Sequence, residues 1–392
     1  MSSRLTARSR GRRGQPPYQH PSRRWKTVYT EFLSSCKFKV PKIRVAVAGV
    51  GNCASAIIQG VHYYTNRGED DGMTYWNVGG YKPDDIEFVA AFDVSSRKVG
   101  KDLSKAVFEA PNNTLKIADL PNLGVEVKRG PVMDGIGKYL KEVVPVAAAR
   151  EADVAEELKE AGAQILVNYL PVGSTKASQF YAEAALKAGA AFINAIPVFI
   201  ASDAAWAERF AKAGLPIAGD DVMSQFGATV LHKTMVKLAV DRGVKVNETY
   251  QLNIGGDTDF LNMLEESRLK DKRESKTSAV RAMSPYEVPT RIGPSDYVPF
   301  LGNDKVCYIW LKGKYFGGTT VKVDVKLHVV DAYDSGGVMV DAIRGTRLAL
   351  DRGVGGQLTS LSAFCFKHPP VQMPYNEAKA AFEEFTSGKR ER

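Results

Sequence analysis

The stretch Arg44-Val-Ala-Val-Ala-Gly-Val-Gly-Asn-Cys-Ala-Ser-Ala-Ile-Ile-Gln59 reads as an apolar strand that breaks into a glycine turn and resumes as an apolar helix. Gly49, Gly51 and Ala54 have the spacing of a dinucleotide-binding turn. Gly49 permits the tight turn, Gly51 lets the backbone approach a pyrophosphate, and Ala54 is small enough for the helix to pack closely on the strand. The phosphates would lie against the free N–H groups at the helix start. A second strand, Ile86 to Asp93, ends in a carboxylate placed to hydrogen-bond an adenosine ribose, which favours NAD over NADP because a 2′-phosphate would be repelled. Arg97 weakens that preference. Asp93 also lies farther from the glycines than the usual ~20 residues, so 66–83, rich in Gly, Asp and Tyr, reads as an insertion in the first crossover.

Outward from this unit, 43–48, 87–92, 164–168, 191–194 and 216–218 read as strands, with helices at 151–161, 174–188 and 203–213 between them. Such alternation predicts a parallel sheet covered on both faces. Beyond about 245 the texture changes. Val246 to Ile254 reads as a strand, 258–283 as a charged, helix-containing stretch, and Val306 to Leu311 and Val321 to Val330 as antiparallel strands. After a turn at Ser335-Gly-Gly, 338–352 reads as an amphipathic helix. The expected fold class is α/β: a Rossmann-type doubly wound parallel sheet (42–240) interrupted by a smaller α+β domain (241–335), with 336–392 returning to the first.

At 392 residues with 44% hydrophobic and 25% charged residues, the chain has the composition of a globular protein large enough for two domains. No apolar stretch reaches the ~20 residues of a membrane span. The net charge of +9 concentrates in residues 1–41, where Arg4, Arg8, Arg10, Arg12, Arg13, Arg23, Arg24 and Lys26 accompany Ser, Gly, Gln and Pro; a disordered basic tail is expected, with no apolar core of a secretory signal. Cys36, Cys53, Cys307 and Cys365 are widely spaced, which points to neither a disulfide framework nor a cysteine zinc site and fits a reducing cytoplasm.

Four segments offer chemistry. Asn168-Tyr-Leu-Pro-Val-Gly-Ser174 and Asn194-Ala-Ile-Pro-Val-Phe-Ile-Ala-Ser-Asp203 follow strands and so border the nicotinamide half of a cofactor. Gly219-Asp-Asp-Val-Met-Ser-Gln-Phe-Gly-Ala-Thr229 sets two carboxylates after a strand, then Ser, Gly and Thr entering a helix; the second part suits phosphate, and one carboxylate suits proton transfer or the orientation of a lysine, unless the acid or serine is only a helix cap. Lys272 and Lys276 in Lys270-Asp-Lys-Arg-Glu-Ser-Lys276 share one helix face. Two ammonium groups side by side suit an anion between them, although a charge run of this kind also fits a solvated surface.

Taken together, Asn52-Cys-Ala-Ser55, Asn168-Tyr-Leu-Pro-Val-Gly173, Gly219-Asp-Asp221, Leu252-Asn-Ile-Gly-Gly-Asp-Thr-Asp-Phe-Leu-Asn-Met263, Glu274-Ser-Lys-Thr277, Ile292-Gly-Pro-Ser-Asp296 and Asp341-Ala-Ile-Arg344 resemble the myo-inositol-1-phosphate synthase family, especially its short bacterial and archaeal members, over residues 42 to 380. The resemblance implies conversion of D-glucose 6-phosphate to 1D-myo-inositol 3-phosphate (1L-myo-inositol 1-phosphate). NAD is lent a hydride from C5 of the open-chain sugar, C6 loses a proton, the enolate closes on the C1 aldehyde, and the ring ketone is reduced again. It further implies catalytic Lys272, Lys276, Lys305, Lys367 and Asp221. Lys272 would stand at the C5 oxygen, Lys276 and Lys305 at the phosphate and the forming enolate, and Lys367 near the C1 oxygen.

By the same resemblance, Gly49, Gly51, Asn52, Cys53, Ala54, Asp93, Tyr169, Leu170, Asp334 and Ser335 would hold NAD, with Asp331 replacing Asp334 if the local alignment slips, and Ser224, Gly227, Ala228 and Thr229 would hold the substrate phosphate with Lys276 and Lys305. Met223 stands where many relatives have lysine and Asp257 where many have asparagine, so a divalent metal or an ammonium ion is an expected helper. A tetramer in the cytoplasm, with no membrane or nucleic-acid partner, is expected as well. The competing readings are a net NAD-dependent sugar-phosphate dehydrogenase, which would accumulate NADH, and an NAD-binding regulator with a nucleic-acid-binding arm.

Overall fold

The computed structural model describes residues 41–392; the expected basic tail lies outside the described residues. Seven parallel strands form the first sheet in the order β3 (Val127–Arg129), β2 (Ile86–Asp93), β1 (Ile43–Ala48), β4 (Ile165–Asn168), β5 (Ala191–Asn194), β6 (Pro216–Gly219) and β11 (Gly356–Gln357). Strand order reverses at β1, where the glycine turn lies, so the crevice above the carboxyl ends of β1 and β4 is the expected ligand site of such a sheet. The central strands β4, β5 and β6 are buried at every residue, which is why they read as continuous apolar runs rather than alternating ones.

A second sheet follows in the order β10 (Thr320–Val330), β9 (Asp304–Lys314), β7 (Lys245–Gly255) and β8 (Thr290–Tyr297). The β10–β9 and β9–β7 pairs are antiparallel, as their alternating pattern predicts. β8 pairs with β7 in parallel, an addition that 290–297, with its Gly and Pro, did not announce. One face of this sheet packs on the helices Ala228–Asp241 and Lys270–Arg281 through Val236, Val246, Val280, Met283, Ile292 and Leu311.

The helix expected at 338–352 begins seven residues earlier, as Asp331–Asp351, so the turn expected at Ser335-Gly-Gly is in fact helix. Two glycines cost helix propensity, but the helix buries Ala332, Ser335, Val338 and Met339 on either side of them, and that burial outweighs the cost. The longer helix brings Asp331 and Ser335 into the crevice. Further along it, the fully buried Arg344 pairs with Asp341 at 2.5 Å and donates to the carbonyls of Tyr75, Trp76 and Tyr81. This clamp fastens the first-crossover insertion to the core.

Candidate active site

The glycine turn is held from several sides. Gly49 has φ +93°, and a Cβ there would lie 2.6 Å from the Tyr169 carbonyl oxygen, so only glycine fits. At Gly51 a Cβ would meet nothing within 4 Å: it would project into open space at the cleft wall. The helix Asn52–Arg67 behind it has no side-chain cap, which leaves its first N–H groups for an anion. This cradle fits a dinucleotide pyrophosphate. The Asn52 amide donates to Asn113 Oδ1 at 2.9 Å, and Ala54 is fully buried against the sheet. Cys53 lines the cleft, its thiol pushed up to about 12 by burial and by Asp331, Asp257 and Asp259. Tyr169 and Leu170 line the cleft beside the glycine turn.

Asp93 also lines the cleft, and its carboxylate already holds the turn. Oδ2 accepts from Val50 N at 2.9 Å, and Oδ1 accepts from Val94 N at 2.7 Å and Ser95 N at 2.8 Å. Lys98, which sequence reading missed, is buried beside it, 3.8 Å from Oδ2, and donates to the Val50 carbonyl at 2.7 Å. Arg97 instead donates to the Val143 carbonyl, away from this carboxylate.

The four lysines converge on the same cleft. The helix Lys270–Arg281 presents Lys272 and Lys276 one turn apart; Lys305 comes from the start of β9, and Lys367 from the loop after the helix Thr359–Cys365. Three carry their own carboxylate. Lys272 pairs with Asp259, Lys305 with Asp331 at 2.5 Å, and Lys367 with Asp221 at 2.9 Å. For Lys272 and Lys305, burial disfavours the ammonium, yet the adjacent carboxylate outweighs it and raises both. Lys276 has no carboxylate within ion-pair distance among the described residues. Burial, then Lys272, Lys367 and Lys305, bring it down to about 7, with Asp221 opposing.

Asp220 and Asp221 divide the roles that their adjacency left open. Asp220 is fully buried and accepts from Asn194 Nδ2, Ile200 N, Ala201 N and Ser202, so it latches the loop after β5. Asp221 faces the cleft at φ +62°, an uncommon conformation for a side-chain-bearing residue, and accepts from Ser275 Oγ at 2.6 Å.

Ser224, Ala228 and Thr229 line the cleft at the uncapped start of the helix Ala228–Asp241, and Gly227 stands at its cap. Ser335 lines the cleft too. Asp334 does not face the glycine turn: its Oδ1 accepts from Phe226 N at 3.0 Å and its carbonyl from Gln225 N at 2.6 Å, so it braces the 224–227 turn. Asp331 is the acid of this helix that lies in the cleft. Asp257 caps the short helix Thr258–Asn262, accepting from Asp259 N and Phe260 N; burial, Asp331 and Asp259 raise it to about 7. Met223 is buried, its N–H donating to the Cys365 carbonyl.

The family model for myo-inositol-1-phosphate synthase matches residues 227–332. An inositol-3-phosphate synthase of Mycolicibacterium smegmatis is 50% identical over 357 residues, covering 88% of this chain and 98% of that protein. One from Corynebacterium glutamicum is 47% identical, covering 88% of this chain and 98% of that protein. Among solved structures, a myo-inositol-1-phosphate synthase-related protein of Thermotoga maritima superposes with a TM-score of 0.75 at 25% identity, over 88% of this chain and 98% of that one. The matched segment carries Lys272, Lys276, Lys305 and Asp331, and the chain belongs to the myo-inositol-1-phosphate synthase family.

Proposed function

We propose that this chain is an NAD-dependent isomerase that converts D-glucose 6-phosphate into 1D-myo-inositol 3-phosphate with no net redox change. The observation that carries the reading is the lysine set: three ammonium groups each paired with a carboxylate, and Lys276 left without one and lowered to about 7. A reaction that alternately builds oxyanions and moves protons needs both kinds of group in one water-shielded place.

NAD, when bound, takes up one hydride and gives it back. Its pyrophosphate is assigned to Gly49, Gly51, Asn52, Cys53 and Ala54, its ribose end to Asp93, and its nicotinamide end to the wall that includes Tyr169, Leu170 and Ser335. The uncapped turn of Ser224, Gly227, Ala228 and Thr229 suits the substrate phosphate, with Lys305 as its cation. Lys272, fixed by Asp259, suits the C5 oxygen as charge develops there. Lys276, whose ammonium is disfavoured by burial and by the neighbouring lysines, is suited to take the C6 proton and to return one. Lys367, oriented by Asp221, suits the C1 oxygen during ring closure.

A cation is assigned to the acidic side of the cleft, where Asp257 adds a carboxylate to Asp259 and Asp331. Among the described residues no three His, Cys, Asp or Glu side chains converge as a ready metal cage, so a divalent ion would take further ligands from the substrate, whereas ammonium would need none. The tetramer is assigned to the second sheet. β10 leaves an eleven-residue edge, and Tyr250 stacks on Trp310 at 5.3 Å with Tyr250 and Tyr308 exposed. Cytoplasmic residence agrees with Cys53, Cys307 and Cys365, which form no disulfide among the described residues.

The test is phosphorus NMR of the product together with absorbance at 340 nm. Inositol phosphate should form with NAD and no added reductant, while NADH stays below one equivalent of enzyme. Stoichiometric NADH would identify the dehydrogenase instead.

A further inference from the structure

The wall formed by β7 carries a buried polar ladder that the chemistry above does not use. Gln251 and Asn253 each expose about 1% of their surface and line the cleft, and Asn253 Nδ2 is buried with no hydrogen-bond partner. The Gln251 amide joins Asn253 Oδ1 at 3.0 Å to His232 Nδ1 at 3.2 Å. His232 Nε2 lies 2.8 Å from Thr249 Oγ1, which lies 2.6 Å from the Trp310 carbonyl oxygen. The ladder thus runs from a backbone acceptor of fixed polarity to a side chain at the substrate cleft.

Counting protons from the fixed end determines the rest. The Trp310 carbonyl only accepts, so the Thr249 hydroxyl donates to it and has no second proton for His232. His232 Nε2 must therefore carry the proton shared with Thr249 Oγ1. His232 is fully buried, and burial lowers it to about 4, so near pH 7 the ring is neutral and Nδ1 is a bare acceptor. An acceptor at Nδ1 needs the NH₂ of Gln251. The Gln251 oxygen then faces Asn253 and needs the NH₂ of that residue. The Asn253 atom left over is its carbonyl oxygen. A half-turn of each amide leaves its shape unchanged, and this orientation satisfies every group within the ladder. The opposite orientation requires either an imidazolium in the interior or two acceptors 2.6 Å apart.

We propose that His232, acting through Gln251, fixes Asn253 with Oδ1 toward the cleft, where it accepts a hydrogen bond from a substrate hydroxyl. His232 and Gln251 are positioning residues in this arrangement. An acceptor on this wall attracts the hydroxyls of a polyol phosphate and repels its phosphate, and so helps to set which end of the substrate enters which end of the cleft. The identity of the hydroxyl donor rests on the synthase reading; the polarity of the ladder does not.

The test has two arms. Solid-state NMR of the NAD-loaded protein labelled with ¹⁵N-histidine, with His232 assigned by loss of its signals in His232→Gln, should find a neutral ring protonated at Nε2 at pH 7 to 8. A ring protonated at Nδ1, or an imidazolium, overturns the proposal without touching the synthase reading. In the second arm Gln251→Met cuts the ladder away from the lysines. KM for glucose 6-phosphate should rise about tenfold, with kcat and NAD affinity little changed. An unchanged KM overturns the role of Asn253 toward substrate. If that variant does not fold, the NMR arm still decides the polarity. Absence of inositol phosphate from the parent protein would remove the synthase reading and leave the ring tautomer as predicted.

Discussion

Lys367 and Asp221 are joined twice: Nζ lies 2.9 Å from Asp221 Oδ1, and the Lys367 backbone N–H donates to the Asp221 carbonyl at 2.7 Å. The backbone contact fixes the two loops whatever the side chains carry, so the ion pair can be altered without separating them. Asp221→Asn keeps the Ser275 contact, and Asn tolerates the left-handed backbone that Asp221 adopts. The lost charge leaves Lys367 uncompensated among three other lysines. We expect kcat to fall by about 10²-fold, the scale of one misplaced electrostatic group, with NAD affinity unchanged by calorimetry.

Lys272→Ala removes the ammonium that Asp259 holds in the cleft. Turnover should be abolished while NAD still binds, because the glycine turn is braced by Asp93 and Lys98 rather than by the helix Lys270–Arg281. Near-normal rates in this variant would contradict its assignment to the C5 oxygen.

Asp257 predicts a pH dependence of stability. Burial, then Asp331 and Asp259, raise its carboxyl from 3.8 to about 7, so the folded protein holds a proton there that the unfolded chain gives up. Stability from this group is full below about pH 4 and is lost as pH rises toward 7. Asp257→Asn keeps a helix cap and removes the charge. Its Tm should exceed that of the parent at pH 8, and the gap should close as pH falls to 4. A gap independent of pH would show that the cost of ionising Asp257, from burial and from the neighbouring acids, is not the cause.

Arg344 and Asp341 are both fully buried, and Arg344 also serves three backbone carbonyls of the crossover insertion. Arg344→Met strands Asp341 in the interior. Denaturant unfolding should register a loss of about 3–5 kcal/mol, and limited proteolysis should cut first within 66–83.

How far the fold could be read from the chain depended on the kind of signal. Strands β1, β4, β5 and β6 are buried on both faces, and their apolar runs declared them. The two-residue β11 is too short for any periodicity, and the parallel pairing of β8 is a matter of tertiary register. The early start of the helix Asp331–Asp351 was hidden because glycine's local preference points to a turn, while burial of Ala332, Ser335, Val338 and Met339 decides otherwise.

Within the site, Lys272 and Lys276 were legible as a pair because helical spacing brings them together. Lys305 and Lys367 are separated from them by topology alone, and only the family resemblance singled them out. The roles of Asp331 and Asp334 could not be told apart by spacing: they sit three residues apart on one helix, yet one pairs with Lys305 in the cleft and the other braces the 224–227 turn. Lys98 and the His232–Gln251–Asn253 ladder left no local pattern, since their meaning lies in which buried partner each one meets.

The central claim is that one hydride leaves a sugar carbon and returns to the same molecule. D-glucose 6-phosphate deuterated at C5, incubated with the protein and trace NAD, tests it by mass spectrometry of the product. The account predicts inositol phosphate that retains the deuterium, with no label building up in the nicotinamide pool. Deuterium collecting in NADH alongside an oxidised sugar phosphate would contradict it.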